Sequence, residues 1–155
     1  MDLKMNRAAL RRFLDEVFPQ VKDDFVIEVV APMSIRMRLI VGERHLRPGG
    51  TVSGPSMFGL ADVSIYLAIL AMIGPRALAV TTNCSIDFMR KPAARTDLIC
   101  DCRVLKLGRV LGVGDCLIRS DGLDAPVARA ALTYSIPPGS SARAESSDPA
   151  RKAAR

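Results

Sequence analysis

At 155 residues, 49% hydrophobic and 25% charged, with 11 Gly and 10 Pro, the chain has the composition of one compact domain, not of a disordered or repetitive polymer. A formal charge of +6 suits an anionic ligand, but 5% aromatic content without Trp supplies few stacking platforms, so nucleic-acid binding is not expected. Residues 25 to 138 hold 13 basic against 9 acidic side chains, so most of the surplus lies in the part expected to fold.

Met1-Asp2-Leu3-Lys4 leads into a charged amphipathic segment instead of an apolar leader, which predicts a cytoplasmic protein. Asn6 to Phe18 reads as an amphipathic helix, with Leu10, Phe13, Leu14, Val17 and Phe18 on one side, capped by Asn6 and closed by Pro19. Phe25 to Val30 and Ser34 to Val41 are β-rich runs around Pro32, expected to pair as antiparallel neighbours. The loop from Gly42 to Val52 contains His45, the single histidine, read here as a solvated loop residue.

Ser53 as cap, Pro55 in the first turn and Gly74-Pro75 at the end mark a second helix that is apolar nearly all round, so it should be buried on most sides. Counted as about 17 residues from Met57 and carrying Asp62, it is a poor membrane span. Four strand-like runs follow: Arg76 to Phe88, Thr96 to Leu107, Arg109 to Arg119 and Val127 to Ile136, the middle pair joined at Gly108. The first alternates Leu78, Val80, Thr82, Cys84, Ile86 and Phe88 against Ala79, Thr81, Asn83, Ser85 and Asp87. The sum is an α+β domain over residues 1–138, a long central helix against an antiparallel sheet with an extra N-terminal helix, and a disordered tail over 139–155.

Asp62 is the anomaly in this pattern, because burying an unpaired carboxylate is costly. Either it faces outward or is satisfied by nearby backbone, or it is a general base or nucleophile facing a cleft. The start of the same helix offers the Gly54 N–H, where an unpaired amide and the helix dipole favour a developing oxyanion. Gly54 and Asp62 are eight residues apart, about 12 Å along the axis and about 80° around it. They cannot both reach one carbonyl from a single helix, so a shared site would combine Gly54 of one subunit with Asp62 of another and would require a dimer.

The segment from about Arg38 to Tyr134 resembles hotdog-fold acyl-CoA thioesterases of the phenylacetate-pathway (PaaI-like) type. The matching pieces are Gly50-Thr51-Val52-Ser53-Gly54-Pro55, Leu60-Ala61-Asp62, Ile86-Asp87-Phe88-Met89-Arg90-Lys91-Pro92-Ala93, Lys106-Leu107-Gly108-Arg109 and Val127 to Tyr134. The resemblance implies a sheet wrapped round the central helix and a homodimer with composite sites, expected as a dimer of dimers. It implies Asp62 as base or nucleophile, Gly54 as the amide that polarises the carbonyl, and Ser53 and Thr81 as catalytic neighbours. Arg90, Lys91, Lys106 and Arg109 then match positions that hold CoA phosphates, with Arg47, Ser56, Tyr66 and Asn83 as further substrate contacts. The chain departs from the family at the turn: Ser53 stands for a His, Pro55 for a second Gly, and Arg47 for an Asn. A protein that binds acyl-CoA or fatty acyl groups without turnover is therefore the second reading.

Other chemistries fit less well. Phe58 replaces the second Gly of a serine-hydrolase elbow, and Gly108-Arg109-Val110-Leu111-Gly112-Val113-Gly114 lies in a hairpin, not at a strand-to-helix turn. Cys84, Cys100, Cys102 and Cys116 lack metal-ligand spacing and are expected as buried free thiols, so no metal is expected. No cofactor is expected beyond CoA as part of the substrate, and no membrane partner.

Overall fold

The computed structural model describes residues 2–138, so the expected tail over 139–155 lies outside the described residues. Helix α1 spans Arg7–Val17, with the Asn6 side chain accepting the Ala9 N–H at 2.9 Å, and it buries Leu10 and Leu14. Pro19 opens a single 3-10 turn, Pro19–Val21, that leads to strand β1, Phe25–Ala31. Strand β2, Ser34–Leu39, pairs with it antiparallel as expected. Helix α2 spans Gly54–Ile73, and β3 (Val80–Phe88), β4 (Leu98–Leu107), β5 (Leu111–Ser120) and β6 (Pro126–Ser135) follow. The six strands form one antiparallel sheet in the order β1-β2-β4-β5-β6-β3, with α2 packed across it. This is the hotdog arrangement.

The close fit of helix to sheet explains two glycines on β5. A Cβ on Gly112 would lie 2.7 Å from Ile69 Cδ1, and one on Gly114 would lie 2.4 Å from Ile65 Cδ1 and 2.8 Å from the Arg103 carbonyl oxygen. Only a residue without a side chain lets α2 approach this strand so closely. Leu60, Ile65, Leu67, Ile69 and Leu70 are fully buried there, each stabilising the fold by about 1.5–3 kcal/mol relative to an exposed position.

Four expectations need correction. Helix α2 begins at Gly54, directly after its expected cap Ser53, so it is longer than the stretch counted from Met57. At 20 residues with a mean hydropathy of 1.9 over its apolar window it has the length of a membrane span, yet 67% of that window is buried inside the domain. Strand β3 begins at Val80 instead of Arg76, and it carries a bulge between Thr81 and Asn83 that interrupts the simple alternation at Thr82. His45 is buried, at 8% exposure, not solvated. Its Nδ1 accepts the Gly42 N–H at 2.9 Å, and its main-chain carbonyl accepts the Ser53 N–H at 2.8 Å. The fourth concerns the cysteines: Cys102 and Cys116 face each other across β4 and β5, Cα atoms 4.3 Å apart, and form a disulfide. Cys84 and Cys100 are free thiols, and burial pushes the Cys100 thiol up to about 12.

Candidate active site

Asp62 is neither turned to bulk solvent nor capped by its own helix. Its Oδ1 accepts hydrogen bonds from the Thr81 hydroxyl and, at 2.6 Å, from the Tyr134 phenol. The Tyr134 oxygen also lies 2.9 Å from the Asp62 main-chain carbonyl. Among the described residues no hydrogen bond reaches Oδ2. The two donors meet because Thr81 on β3 and Tyr134 on β6 are register partners. The bulge at Thr82 lets Thr81 share the helix side of β3 with Cys84 and Ile86, which a strict period of two would forbid. Tyr134 is 3% exposed, and burial first, then the Asp62 charge, push its phenol well above the ordinary tyrosine value.

Asp62 opens into a cavity of about 640 Å³ whose walls, Thr81 apart, are otherwise apolar or aromatic. Val17 and Phe18 come from the end of α1, Phe58, Val63 and Tyr66 from α2, and Leu78 and Val80 from the entry to β3. Tyr66 stacks on Tyr134 with ring centroids 6.1 Å apart, Phe13 of α1 lies 6.4 Å from Tyr66, and the Tyr66 hydroxyl donates to the Ala77 carbonyl at 3.2 Å. Burial also raises the Tyr66 phenol above its usual value.

Gly54 belongs to a different cavity, of about 830 Å³, bounded by Arg47, Thr51, Pro55, Met57, Phe88, Arg90 and Lys91. The Phe88 ring covers Gly54 so closely that a Cβ there would come within 3.2 Å of it. As the first residue of α2, Gly54 has an amide without an acceptor inside the helix. Ser53 caps the helix by accepting the Ser56 N–H at 3.3 Å, and its hydroxyl is 3.0 Å from Ser56 Oγ. The turn ahead is closed by Arg47 N–H to Thr51 O at 2.9 Å and Gly50 N–H to Arg47 O at 3.0 Å. Gly49 and Gly50 supply its positive φ angles of 97° and 79°.

The structure thus brings Asp62, Thr81 and Tyr66 to one cavity, and Gly54, Arg47, Arg90 and Lys91 to another, with Ser53 and Ser56 at the same helix start. It does not bring Arg109 or Lys106 to either: Arg109 lines a third cavity with Asp2, Lys4, Met72 and Ile73 at the far end of α2, and Lys106 is exposed near the end of β4. Asn83 is exposed just beyond the bulge. Tyr134, Val17 and Phe18 were not among the site residues expected from the sequence. For Tyr134 a signal existed: a buried phenol needs a partner, and Asp62 is the one acid in the apolar helix. Among the described residues one group has metal-ligand potential, the buried Cys100, Cys102 and Cys116, and two of its three sulfurs are joined as the disulfide.

The thioesterase superfamily model matches residues 49–126. No curated protein matches the chain in sequence. Among solved structures, a candidate thioesterase from a Silicibacter species is 59% identical, with 89% of this chain and 96% of that one covered and a TM-score of 0.84. A hypothetical thioesterase from Streptococcus pneumoniae, crystallised with coenzyme A, shares 19% identity over 84% of this chain and 98% of that one, TM-score 0.72. A mutant of the phenylacetic acid degradation protein PaaI from Thermus thermophilus shares 24% over 77% and 99%, TM-score 0.67. The last two share the fold.

Proposed function

This chain belongs to the thioesterase superfamily, and from that premise we propose that it hydrolyses an acyl-CoA thioester to the free acid and CoA. The observation that carries this reading is the carboxylate of Asp62: one oxygen is held by two hydroxyls, the other is uncapped, and the residue lines a cavity with mostly apolar walls. Such a cavity fits an acyl group. The second cavity, with Arg47, Arg90, Lys91 and the Gly54 amide, fits the phosphate-bearing end and the thioester oxygen. That a structural neighbour holds coenzyme A supports the choice of CoA.

In this reading Asp62 Oδ2 takes a proton from water as the water oxygen bonds to the thioester carbon, or attacks that carbon directly, in which case water then cleaves the acyl-Asp62 anhydride to the free acid and restores the carboxylate. The carbonyl oxygen, becoming an oxyanion, is met by the Gly54 amide of the partner subunit, the C–S bond then breaks, and the CoA thiolate leaves and is protonated. Asp62 and Gly54 open into different cavities of one chain, which supports a composite site and a homodimer; a dimer of dimers as the larger assembly is what the family resemblance implies. Free thiol release from a panel of acyl-CoAs, with an Asp62 variant as control, tests the reading. A second reading, acyl-CoA binding without turnover, is favoured by Ser53, whose hydroxyl is engaged with Ser56 where the family has a His. Tight acyl-CoA binding with no thiol release would select it.

A further inference from the structure

We propose that Tyr134 is a positioning residue for hydrolysis, its phenol fixing Asp62 so that Oδ2 faces the reacting carbon. The inference rests on the thioesterase reading of Asp62 and goes beyond it by assigning a role to a residue on another strand. A carboxylate on a helix can rotate about its last torsion, which is broad and roughly two-fold, so it presents either oxygen to a cavity. Here the rotation is arrested. Thr81 and Tyr134 both donate to Oδ1, and register pairing between β3 and β6 places them side by side.

The two donors are not equivalent. Thr81 stands at a bulge on an edge strand and is half-buried. Tyr134 is in a strand paired on both sides and is 3% exposed. Its ring is stacked on Tyr66, which in turn has Phe13 of α1 beside it. The phenol therefore sits on a rigid base that reaches from the N-terminal helix to the carboxylate. Its one proton has two acceptors within reach, Oδ1 at 2.6 Å and the Asp62 carbonyl at 2.9 Å, both on the residue it orients. Because burial and the neighbouring charge raise the phenol far above its ordinary value, it remains a donor across the pH range of an assay.

The test is Tyr134→Phe, which keeps the ring and its stacking and removes one oxygen. With an acyl-CoA that the wild type hydrolyses, kcat should fall about 10- to 100-fold while KM stays within about twofold, since misplacement by about 1 Å costs on that order. A role in packing alone would leave kcat and KM unchanged in protein that melts at the wild-type temperature, and that result overturns the proposal. A crystal structure of the Tyr134→Phe protein gives a readout independent of turnover. The proposal expects the Asp62 carboxylate rotated or in two orientations, and a carboxylate held as in the wild type overturns it. If the wild type hydrolyses no acyl-CoA, the thioesterase reading falls, and the crystallographic comparison alone decides whether Tyr134 fixes the carboxylate.

Discussion

Replacing Asp62 by Asn separates chemistry from architecture more cleanly than replacing it by Ala. Both hydroxyl donors converge on Oδ1, so an asparagine can keep its carbonyl oxygen in that place and put its amide nitrogen where Oδ2 stood. Both hydrogen bonds survive, and because each neutral bond is worth about 1 kcal/mol, the stability of Asp62→Asn should stay within about 1 kcal/mol of wild type. Asp62→Ala instead removes the acceptor of Thr81 and one of the two acceptors of Tyr134, at a cost of about 1–3 kcal/mol. The chemical loss in Asp62→Asn is that of an amide that cannot take a proton or form the acyl bond. General-base catalysis contributes about 10²- to 10⁴-fold, equivalent to about 2.7–5.4 kcal/mol of barrier. The assay is thiol release under single-turnover conditions, with thermal melting alongside. Retention of more than a tenth of the wild-type rate in a protein of unchanged melting temperature would refute the assignment of Asp62.

Three further outcomes follow from the same geometry. Replacing Arg90 and Lys91 together by Ala should raise KM for acyl-CoA about tenfold with kcat little changed, and 0.5 M salt should reproduce part of that loss in wild type, since exposed charges are screened; equal KM values would remove them from the phosphate site. Gly114→Ala forces a Cβ against Ile65 and the Arg103 carbonyl and should destabilise the fold by about 1–3 kcal/mol, read as a lower denaturation midpoint; an unchanged midpoint contradicts the packing account. His45 is held below its ordinary value of 6.5 by burial and, second, by Arg44, and protonating Nδ1 also ends the bond from the Gly42 N–H. A depressed folded value means that the unfolded chain binds the proton more readily, so stability is full above pH 6.5 and is lost as pH falls below it. His45→Gln should lose less stability than wild type between pH 7.5 and 5.5 in urea titrations, and parallel losses would show that His45 does not titrate in that window.

Much of the architecture was legible because it rests on local physics. Asn6 and Ser53 sit at the positions their side chains cap, and the apolar periodicity of α1 and α2 gives the buried faces. Asp62 stood out because one acid in an apolar helix is expensive unless it is satisfied. Of its two partners the family resemblance offered Thr81, but neither the bond it makes nor Tyr134 was legible in the local pattern. Thr81 reaches it through a bulge that reverses the apparent facing of β3, and a bulge depends on how two strands meet, not on either strand alone. His45 read as solvated because polar loop residues usually are, yet the turn folds back so that its ring is enclosed near Asp24 and its carbonyl anchors Ser53.

Sequence by itself determined the elements, their order, the burial of α2 and the presence of one acid, Asp62, in that apolar helix, because caps, periodicity and the cost of a buried charge act over a few residues. Tertiary structure alone decided which residues share a cavity. Val17 and Phe18 line the same space as Thr81 and Tyr134, while Arg109 and Arg90 fall into separate cavities. The disulfide between Cys102 and Cys116 belongs to the same class of fact. Each depends on strand register and on helix-to-sheet packing, which bring together side chains far apart in the chain and so leave no trace in a local reading.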